Sequence, residues 1–348
     1  MRIAQLTRML PRPDYAGGVS GQVDLLARAL VARGHEVTVF AINPPAEPAK
    51  YSYHAVTLPA SSSGLGRRAA PYLFSVAAAR LSFDGFDIVH SHGDDHFIRT
   101  RAPIVRTFHG SSWGEARHGV RFRQRAYHFT MGFPEMLSEW RAAATVANSA
   151  STSGYLRREA IVIPCAYDAA RFHPGGSRSA SPSILFVGDL HTRKRGRLLV
   201  DVFTEVVRPA VPGAELWVVG ADDTGVLDCG DGIQFRERVS GPELADLYRR
   251  AWVFCLPSSY EGFGVPYAEA MACGTPVVAT HNGGADEVLG AGRYGLIVDE
   301  GGLGAALMSL LTSADLRGAF GERALERARD YAIDRVAEQY EHVYASLS

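Results

Sequence analysis

Short apolar segments that alternate with amphipathic segments are the feature that most constrains this chain. In the first half, RIAQLTRML, EVTVFAI, FDIVHSH and PIVRTFHG are typical of strands, and GGVSGQVDLLARALVARGH is typical of a loop followed by a helix. SILFVGDL, AELWVVGADD, WVFCLPS, TPVVAT and GLIVD continue the pattern in the second half. Strands that alternate with helices predict a parallel sheet covered on both faces. The sequence therefore predicts an α/β chain built from two similar units.

The chain of 348 residues is long enough for two domains with ordinary cores. GGSRSASPS is rich in Gly, Ser and Pro and is the best linker candidate. We therefore predict an N-terminal domain over 1–173, a linker over 174–183, a C-terminal domain over 184–325 and a C-terminal helix over 326–348. Whether that helix packs back on the N-terminal domain is left open.

Composition indicates a soluble globular protein, with 47% hydrophobic and 21% charged residues. No apolar run approaches the roughly 18 residues that span a bilayer, and the N-terminus lacks the pattern of a signal peptide. The four cysteines form no C-x-x-C pair, so reduced thiols are expected rather than a disulfide or a zinc site. These features predict a cytoplasmic protein, and association with a membrane surface stays open.

Charge is unevenly distributed, although the net charge is only −1. Residues 1–173 carry 20 Lys and Arg against 13 Asp and Glu, and the remainder carries 16 against 24. A basic half attracts an anionic ligand or a membrane surface, and ordinary surface variation is the alternative. The arginines of RHGVRFRQRAYH, with Arg121 among them, are the candidate contact for an anionic acceptor or a membrane, against a plain solvated face. Nucleic acid is not an expected partner, because no basic-aromatic motif occurs.

EGFGVPYAEAMACG places Glu261 and Glu269 on either side of a predicted helix start. Pro266 suits the first turn of a helix, which predicts a start near Val265 with Glu269 in the first turn. The amides of a helix N-terminus beside Gly264 suit phosphate, and an acid there can bind sugar hydroxyls. The alternative is that Glu269 only complements the helix dipole.

Lys194 is one of only two lysines, the other being Lys50, and it follows a predicted strand in FVGDLHTRKRG. A lysine supplies a compact point charge that suits a phosphate oxygen. An ordinary surface lysine is the alternative.

Three other patterns suggest different chemistry. GSSWG, at 110–114, matches the nucleophile elbow of hydrolases, but the small apolar helix expected after an elbow is missing. HSHGDDH, at 90–96, could suggest a metal; we interpret it instead as the floor of a cleft, with Asp94 or Asp95 touching an acceptor. AGGVSG departs from G-x-G-x-x-G, and the second strand ends in Asn43 rather than in an acid, which argues against NAD.

The order of these motifs resembles that of the family 4 glycosyltransferases. Two glycines precede the first helix, and RTFHG, VGDL, RKRG, PSSYEGFG, the two glutamates, TPVVATHNGGADEVL and YGLIVD follow. The resemblance covers nearly the whole chain and is weaker over 50–85 and 111–140. It implies the GT-B architecture, in which two Rossmann-type domains face an interdomain cleft.

For the donor, the resemblance assigns roles to several side chains. Glu269 would bind the ribose hydroxyls of a nucleotide sugar, and Lys194 would neutralise its diphosphate. Glu261 would face the donor sugar together with the amides at the start of the helix, at Phe263, Gly264 and Val265.

For the first domain, the resemblance places His109 of RTFHG beside the sugar near the reacting carbon. Gly18 would let a loop approach the diphosphate closely, and the loop from Arg238 to Gly241 would lie near the base. The residues Cys165 and Ala166 stand where family members usually carry Asn-Gly.

Asp189 departs from the family pattern more seriously. Family members usually carry an arginine directly after the glycine of the strand-end VG, and Asp189 occupies that place. An anion there would repel a diphosphate, so we expect Arg193 or Arg195 to replace the missing cation.

The resemblance implies a retaining transferase that moves a sugar from a nucleoside diphosphate to a hydroxyl group in glycan, glycolipid or metabolite biosynthesis. A UDP-sugar is favoured and a GDP-sugar stays open, as does the acceptor, which is a sugar, a lipid-linked molecule or a small molecule. No divalent metal or other cofactor is expected, because cationic side chains take that role. The alternative is a non-catalytic scaffold or partner subunit, and Asp189 is its main support.

Overall fold

The protein consists of two compact units, as described by a computed structural model that covers 1–12, 18–58, 66–118, 122–220, 230–237 and 239–348. Unit 1 contains Met1–Ala166 and Ile333–Ser348, and unit 2 contains Tyr167–Ala332. The chain therefore enters unit 2 after Ala166 and returns to unit 1 for its last helix.

Unit 1 is built on a parallel sheet, with seven strands among its described residues in the order β3-β2-β1-β4-β5-β6-β7. Its strands are β1 (Arg2–Leu6), β2 (Glu36–Ala41), β3 (Ser52–Ala55), β4 (Ile88–Ser91), β5 (Ile104–Phe108), β6 (Ala144–Ala147) and β7 (Ile161–Val162). Its helices are α1 (Gly18–Ala32), α2 (Gly66–Ala78), α3 (Ser112–His118), α4 (Phe122–Arg141), α5 (Ala150–Ser153) and, at the C-terminus, α13 (Ile333–Ala345).

The apolar runs of unit 1 are buried because helices cover both faces of its sheet. Val39 of β2, Ile88 of β4 and Val105 of β5 have no exposed surface. The C-terminal helix α13 joins the same core, where it packs with α1. Its Tyr344 hydroxyl lies 2.6 Å from Nδ1 of the buried His90.

Unit 2 repeats the arrangement, with six parallel strands among its described residues in the order β10-β9-β8-β11-β12-β13. Its strands are β8 (Ser183–Val187), β9 (Glu215–Val219), β10 (Ile233–Arg236), β11 (Val253–Leu256), β12 (Val277–Thr280) and β13 (Leu296–Val298). Its helices are α6 (Gly196–Val202), α7 (Arg208–Ala210), α8 (Gly241–Arg250), α9 (Val265–Ala272), α10 (Gly283–Val288), α11 (Leu303–Thr312) and α12 (Ala314–Ala328). A π-helical turn, Phe203–Val207, joins α6 to α7.

The stretch 174–183, which the sequence suggested as a linker, lies within unit 2. Arg178 holds it there. Its guanidinium donates hydrogen bonds to the carbonyls of Ala251 and Gly274, both at 2.6 Å, and to the hydroxyl of Thr275 at 2.7 Å. A segment bonded in this way to α8 and to the end of α9 is part of the domain that follows it.

Each sheet has a point where the strand order reverses, between β1 and β4 in unit 1 and between β8 and β11 in unit 2. In open parallel sheets, ligands bind outside the carboxyl ends of the strands at this switch point. The loops after β8 and β11 carry Lys194 and Glu261, and the loop after β4 carries Asp94 and Asp95. The topology therefore brings the sequence motifs to the places where an α/β protein binds ligands.

Candidate active site

Lys194 folds back across Gly188 at the end of β8. Its Nζ donates to the carbonyl of Val187 at 3.1 Å. Gly188 has φ of +152°, and a Cβ at this position would lie 2.2 Å from Cδ of Lys194. The positive φ favours glycine here, and a side chain would also displace Lys194 from its place across the end of β8. Burial lowers the pKa of Lys194, while the charge of Glu261 opposes that shift.

Glu261 lies in the loop after β11 with its side chain buried. The Ser258 hydroxyl donates to Oε1 at 2.9 Å, and Nη2 of Arg193 lies 3.4 Å from Oε2. The carbonyl of Glu261 accepts from the amide of Gly284 at 3.1 Å, which ties the loop to the start of α10. Each oxygen of the Glu261 carboxylate thus has a partner, and one partner is Arg193, which the sequence analysis proposed as a substitute cation.

The start of α9 at Val265 agrees with the sequence prediction. Gly264 precedes it with φ of +90°, and a Cβ there would lie 2.4 Å from the Tyr267 ring. Phe263 is buried, with its ring 5.2 Å from that of Tyr331 in an edge-to-face contact. Only the main chain of Phe263 is therefore available to a ligand.

Glu269 is the fifth residue of α9, so its predicted place in the first turn is wrong. One turn takes 3.6 residues, and the start at Val265 puts Glu269 in the second turn. Its Oε2 accepts a hydrogen bond from the Tyr248 hydroxyl at 3.1 Å. Burial raises the pKa of Glu269 to about 7, although the Tyr248 hydrogen bond and the charges of Lys194 and Arg171 lower it.

The two arginines proposed as substitutes for the missing cation have different surroundings. Arg195, with φ of +52°, donates to the carbonyl of Pro257 at 2.7 Å and to the hydroxyl of Thr280 at 3.0 Å, and it pairs with Glu300. Its guanidinium is thus committed to the loops after β11 and β12 and to Glu300. Arg193 keeps about a third of its side chain exposed beside Glu261.

In unit 1, His109 follows β5 and contacts a second histidine. Its Nε2 lies 3.0 Å from Nδ1 of His92, and its Nδ1 lies 3.9 Å from Sγ of Cys165. The side-chain amide of Asn148 donates to the carbonyl of His109 at 2.9 Å. Burial, and secondarily the charge of Arg106, lowers the pKa of His109 to about 3. The imidazole is therefore neutral at ordinary pH and serves as a hydrogen-bonding group.

A small cavity adjoins this histidine pair. His92, His109, Asn148 and Cys165 lie in its wall, together with apolar residues of α1 and α13. Nε2 of His92 and Oδ1 of Asn148 are buried and have no hydrogen-bond partner among the described residues.

The two candidate acceptor acids differ in exposure. Asp94 has φ of +56° and forms an ion pair with Arg8 at 3.1 Å. Asp95 is buried, with Oδ1 3.5 Å from Nε of Arg106, whose guanidinium lies 4.5 Å from the centre of the Phe108 ring. Asp94 is thus the more accessible of the two, and Asp95 balances a buried arginine.

Gly18 is the first residue of α1, and a Cβ there would meet no described atom within 4 Å. Neither the backbone nor the described packing therefore requires glycine at this position. Arg121 and Arg238, which the sequence proposed for the acceptor and the base, lie outside the described residues. In the loop from Arg238 to Gly241, which we expected near the nucleotide base, Ser240 caps the start of α8 with its hydroxyl.

The hydrolase and metal alternatives gain no support from the described residues. In GSSWG, the Ser112 hydroxyl donates to Glu135 at 2.6 Å rather than to a histidine. Across the described residues, no group of three or more His, Cys, Asp or Glu side chains is placed to hold a metal ion. Within HSHGDDH, His90 binds Tyr344 and His96 lies 3.0 Å from Ser138.

Sequence reasoning missed the partners of the key residues. Tyr248 reaches Glu269 from α8, 21 positions earlier, and no local pattern marks it. His92 was assigned to a cleft floor rather than to His109, because the contact joins the ends of two different strands. Ser258 precedes Glu261 by three positions, and its place in PSSYE was a usable signal.

Two family models match the chain. The model described as Glycosyltransferase Family 4 matches residues 16–171, and the model described as Glycosyl transferases group 1 matches residues 181–313. Both matches contain the strand-end clusters described above, His109 in the first and Lys194, Glu261 and Glu269 in the second.

Known relatives and solved structures match over most of the chain. The phosphatidyl-myo-inositol mannosyltransferase of Mycolicibacterium smegmatis is 28% identical over 96% of this chain and 92% of that protein. A D-inositol 3-phosphate glycosyltransferase of Kineococcus radiotolerans is 34% identical over 53% of this chain and 51% of that protein. Sucrose-phosphate synthase of Thermosynechococcus elongatus superposes with a TM-score of 0.82, at 23% identity over 99% of this chain and 98% of that structure. HepE of Anabaena, solved with UDP and glucose, superposes with a TM-score of 0.76, at 17% identity over the full length of both. With both halves matched, the chain belongs to the family 4 glycosyltransferases and has their GT-B fold.

Proposed function

We propose that the protein transfers a sugar from a nucleoside diphosphate sugar to a hydroxyl group, with retention of the anomeric configuration and without a metal ion. The observation that carries this proposal is the cluster at the switch point of unit 2. Lys194 and Arg193 lie there beside the held carboxylate of Glu261, at the ends of β8 and β11. Glu269 lies in the second turn of α9, the helix that follows the Glu261 loop.

The leaving group determines what the cluster must do. Breaking the bond between sugar and diphosphate builds negative charge on the departing phosphate oxygen, and fixed positive groups lower the energy of that state. Lys194 is the point charge for this oxygen. Arg193, rather than Arg195, supplies the second cation, because the guanidinium of Arg195 is committed to Pro257, Thr280 and Glu300.

The N-terminus of α9 supports the same assignment. The main chain from Phe263 to Val265 presents a helix start whose amides and dipole favour an anion or a sugar oxygen. Gly264 allows the left-handed backbone that turns the loop into the helix. Glu261 holds the sugar and Glu269 the ribose, so neither glutamate acts as the acid or the nucleophile of a hydrolase.

His109 takes the sugar-binding role, as a neutral imidazole whose Nε2 contacts His92 and whose main-chain carbonyl accepts a hydrogen bond from Asn148. Gly18 serves close approach to the donor, a role that the resemblance gives it, and no described atom lies within 4 Å of where its Cβ would be. Asp94 is the acceptor contact that we favour over Asp95, because its side chain is partly exposed while that of Asp95 is buried against Arg106.

We propose a UDP-sugar as the donor, with a GDP-sugar as the alternative. The Anabaena structure contains UDP and glucose, while the mycobacterial relative is named a mannosyltransferase. For the acceptor, the names of the curated relatives share a phosphorylated inositol, lipid-linked in one and free in the other. We therefore propose a hydroxyl acceptor of this kind, a polyol that carries a phosphate.

A thermal-shift screen of the full chain with UDP, GDP, ADP and NAD tests the donor assignment. A ligand at about 100 times its dissociation constant adds roughly 2.7 kcal/mol of stability, which raises the melting temperature by about 5–11 °C for a domain of this size. We expect one nucleoside diphosphate to stand out, and its effect to disappear in Glu269→Ala.

Transfer itself is then measured with the matching nucleotide sugar and with inositol phosphate or phosphatidylinositol, in buffer containing excess EDTA. We expect product that retains the anomeric configuration and a rate that EDTA leaves unchanged. Diphosphate binding without hydrolysis or transfer would instead support the scaffold alternative, for which Asp189 is the main argument. A rate abolished by EDTA and restored by Mg²⁺ would overturn the metal-independent mechanism.

A further inference from the structure

The helix α4 has an unusual distribution of side chains. Large apolar residues face outward along its 20 residues. The exposed fractions are 83% for Phe122, 54% for Phe129 and Phe133, 43% for Leu137 and 63% for Trp140. These five are nearly half of the eleven large apolar side chains that are exposed among the described residues.

The outward residues form one continuous stripe. At 3.6 residues per turn, Phe122, Phe129, Phe133 and Trp140 fall within roughly 40° of one another, and Leu137 lies beside them. The whole helix is about 30 Å long at 1.5 Å per residue, so the stripe extends over most of that length. We call these five residues the outer stripe.

The face of α4 that packs on the protein is, in contrast, largely polar. Glu135 accepts from both the amide and the hydroxyl of Ser112, and Ser138 lies 3.0 Å from Nδ1 of His96. Glu139 accepts from the amides of Arg157 and Arg158. In water, a surface helix normally turns its apolar face inward and its polar face outward. The reversed arrangement of α4 leaves its apolar face for a partner outside this chain.

The packing beneath the stripe fixes its direction. The Trp113 ring of α3 meets Phe129 and Phe133 edge to face, at 5.3 and 5.5 Å. Gly132 allows this contact, since a Cβ there would lie 2.4 Å from the Trp113 ring. The stripe is therefore held outward by packing and hydrogen bonds.

The charges around the stripe decide between kinds of partner. Arg117, Arg123 and Arg125 are exposed near its N-terminal end. The two acids of α4, Glu135 and Glu139, are engaged on the inner side. An apolar face of Phe, Leu and Trp bordered by arginines is the composition of helices that lie in the interface of an anionic bilayer. Across the described residues, no helix is long and apolar enough to cross a membrane.

We propose that α4 docks the protein on an anionic phospholipid surface, with the outer stripe inserted among the lipid head groups and acyl chains. The arginines at its N-terminal end attract the negative head groups. This surface would hold unit 1, which carries the candidate acceptor residues, at a membrane. The inference is independent of the donor chemistry, because it requires no nucleotide and no transfer.

Vesicle flotation of the full chain tests the proposal, with phosphatidylcholine vesicles that contain or lack phosphatidylglycerol. We expect binding to the anionic vesicles, weaker binding at high salt, and a blue shift of Trp140 fluorescence that is missing in Trp140→Phe. The variant Phe122→Ser, Leu137→Ser, Trp140→Ser should bind at least about tenfold more weakly, because three large apolar side chains leave the interface. It spares Phe129 and Phe133, which pack on Trp113, so its melting temperature should not fall.

Matched controls come from exposed residues elsewhere. Val76→Ser, Ile161→Ser, Val162→Ser removes three exposed apolar side chains from other elements and should bind as the wild type does. Arg123→Ser, Arg125→Ser should lose binding to anionic vesicles, whereas Arg80→Ser, Arg335→Ser should keep it.

Three results would overturn the proposal. In the first, the wild-type protein does not bind the anionic vesicles. In the second, the outer-stripe variant binds them as well as its control does. In the third, the wild type binds no vesicles but self-associates, and the outer-stripe variant does not self-associate. The last result would assign the stripe to contact between copies of the chain. Nucleotide binding, measured on the same samples by thermal shift, separates each of these from a failure of the proposed donor chemistry.

Discussion

Glu269 is a carboxyl group whose environment favours the neutral form. Its ordinary pKa is 4.5, and burial raises that pKa to about 7. A ribose diol donates hydrogen bonds most strongly to the ionised carboxylate. Binding of the nucleoside portion should therefore depend on whether Glu269 has lost its proton.

We predict that uridine, which carries no titrating phosphate, binds about tenfold more weakly at pH 6 than at pH 8, since the ionised fraction falls by that factor around a pKa of 7. Isothermal titration across this range measures it, with guanosine in its place if GDP is the stabilising diphosphate. Glu269→Gln should show weak and flat binding. An unchanged affinity of the wild type between the two pH values would contradict the ribose assignment.

The same proton affects stability, with the opposite sign. A carboxyl group whose folded pKa exceeds its unfolded value contributes stability below the unfolded pKa and loses it as the pH rises through the folded pKa. We therefore expect the ligand-free free energy of unfolding to fall between pH 4.5 and pH 7 through this group. The slope in this window should be smaller in Glu269→Gln, as measured by urea denaturation at several pH values.

Lys194 is the cation on which the proposed mechanism depends most directly, and Lys50 supplies a control within the same chain. Lys194→Ala should lower kcat by about a hundredfold or more, the loss typical of removing one fixed group that stabilises developing negative charge. Lys50→Ala removes the only other lysine, an exposed one, and should leave kcat unchanged. Comparable rates for the two variants, measured by release of the nucleoside diphosphate, would remove Lys194 from the mechanism.

At the scale of single elements, α9 depends on the glycine before it. Gly264→Ala must adopt φ of +90° and displace the Tyr267 ring. We expect a loss of about 1–3 kcal/mol in the free energy of unfolding, the cost typical of a strained backbone position.

Gly318→Ala is the matched change inside α12, where a Cβ meets nothing within 4 Å. An alanine in a helix interior is favoured over glycine by up to about 1 kcal/mol, so this variant should be as stable as the wild type or slightly more stable. Urea denaturation of both variants measures the difference. Equal stability of the two would mean that the start of α9 tolerates a side chain.

The elements that the sequence predicted are those with a buried apolar run. The strand β11 is buried along its whole length and apolar throughout, and β5 keeps Ile104, Val105 and Phe108 around its two buried polar residues, so both strands are visible in the sequence. The edge strand β3, Ser52–Ala55, is mostly exposed, carries no such run and was not predicted. Glu261 and Lys194 could be found because glycines and loop motifs mark them locally. The contacts of Glu269 with Tyr248 and of His109 with His92 could not be predicted, because they depend on tertiary structure.

At the scale of the whole molecule, the last helix completes unit 1. Tyr340 and Tyr344 of α13 bond to Thr107 and His90 in the core of that unit. Truncation after Ala332 should therefore unfold unit 1 and leave unit 2 able to bind the nucleoside diphosphate. Limited proteolysis with and without that ligand distinguishes the two units.

Removal of Ser348 alone is the control for this truncation and should change neither unit. If the chain that ends at Ala332 resists protease over residues 1–166 as well as the full chain does, unit 1 does not depend on α13. Loss of nucleotide binding by that chain would instead show that unit 2 cannot stand alone.

The division of unit 1 between the two ends of the chain has a consequence during synthesis. A ribosome completes unit 2, Tyr167–Ala332, while the last sixteen residues of unit 1, Ile333–Ser348, are still to be made. The surface of the first 166 residues that α13 covers therefore stays open until α13 has been translated. A message that ends early produces a chain without a finished unit 1, which proteases can recognise and remove. Completion of the core of unit 1 is thus coupled to translation of α13.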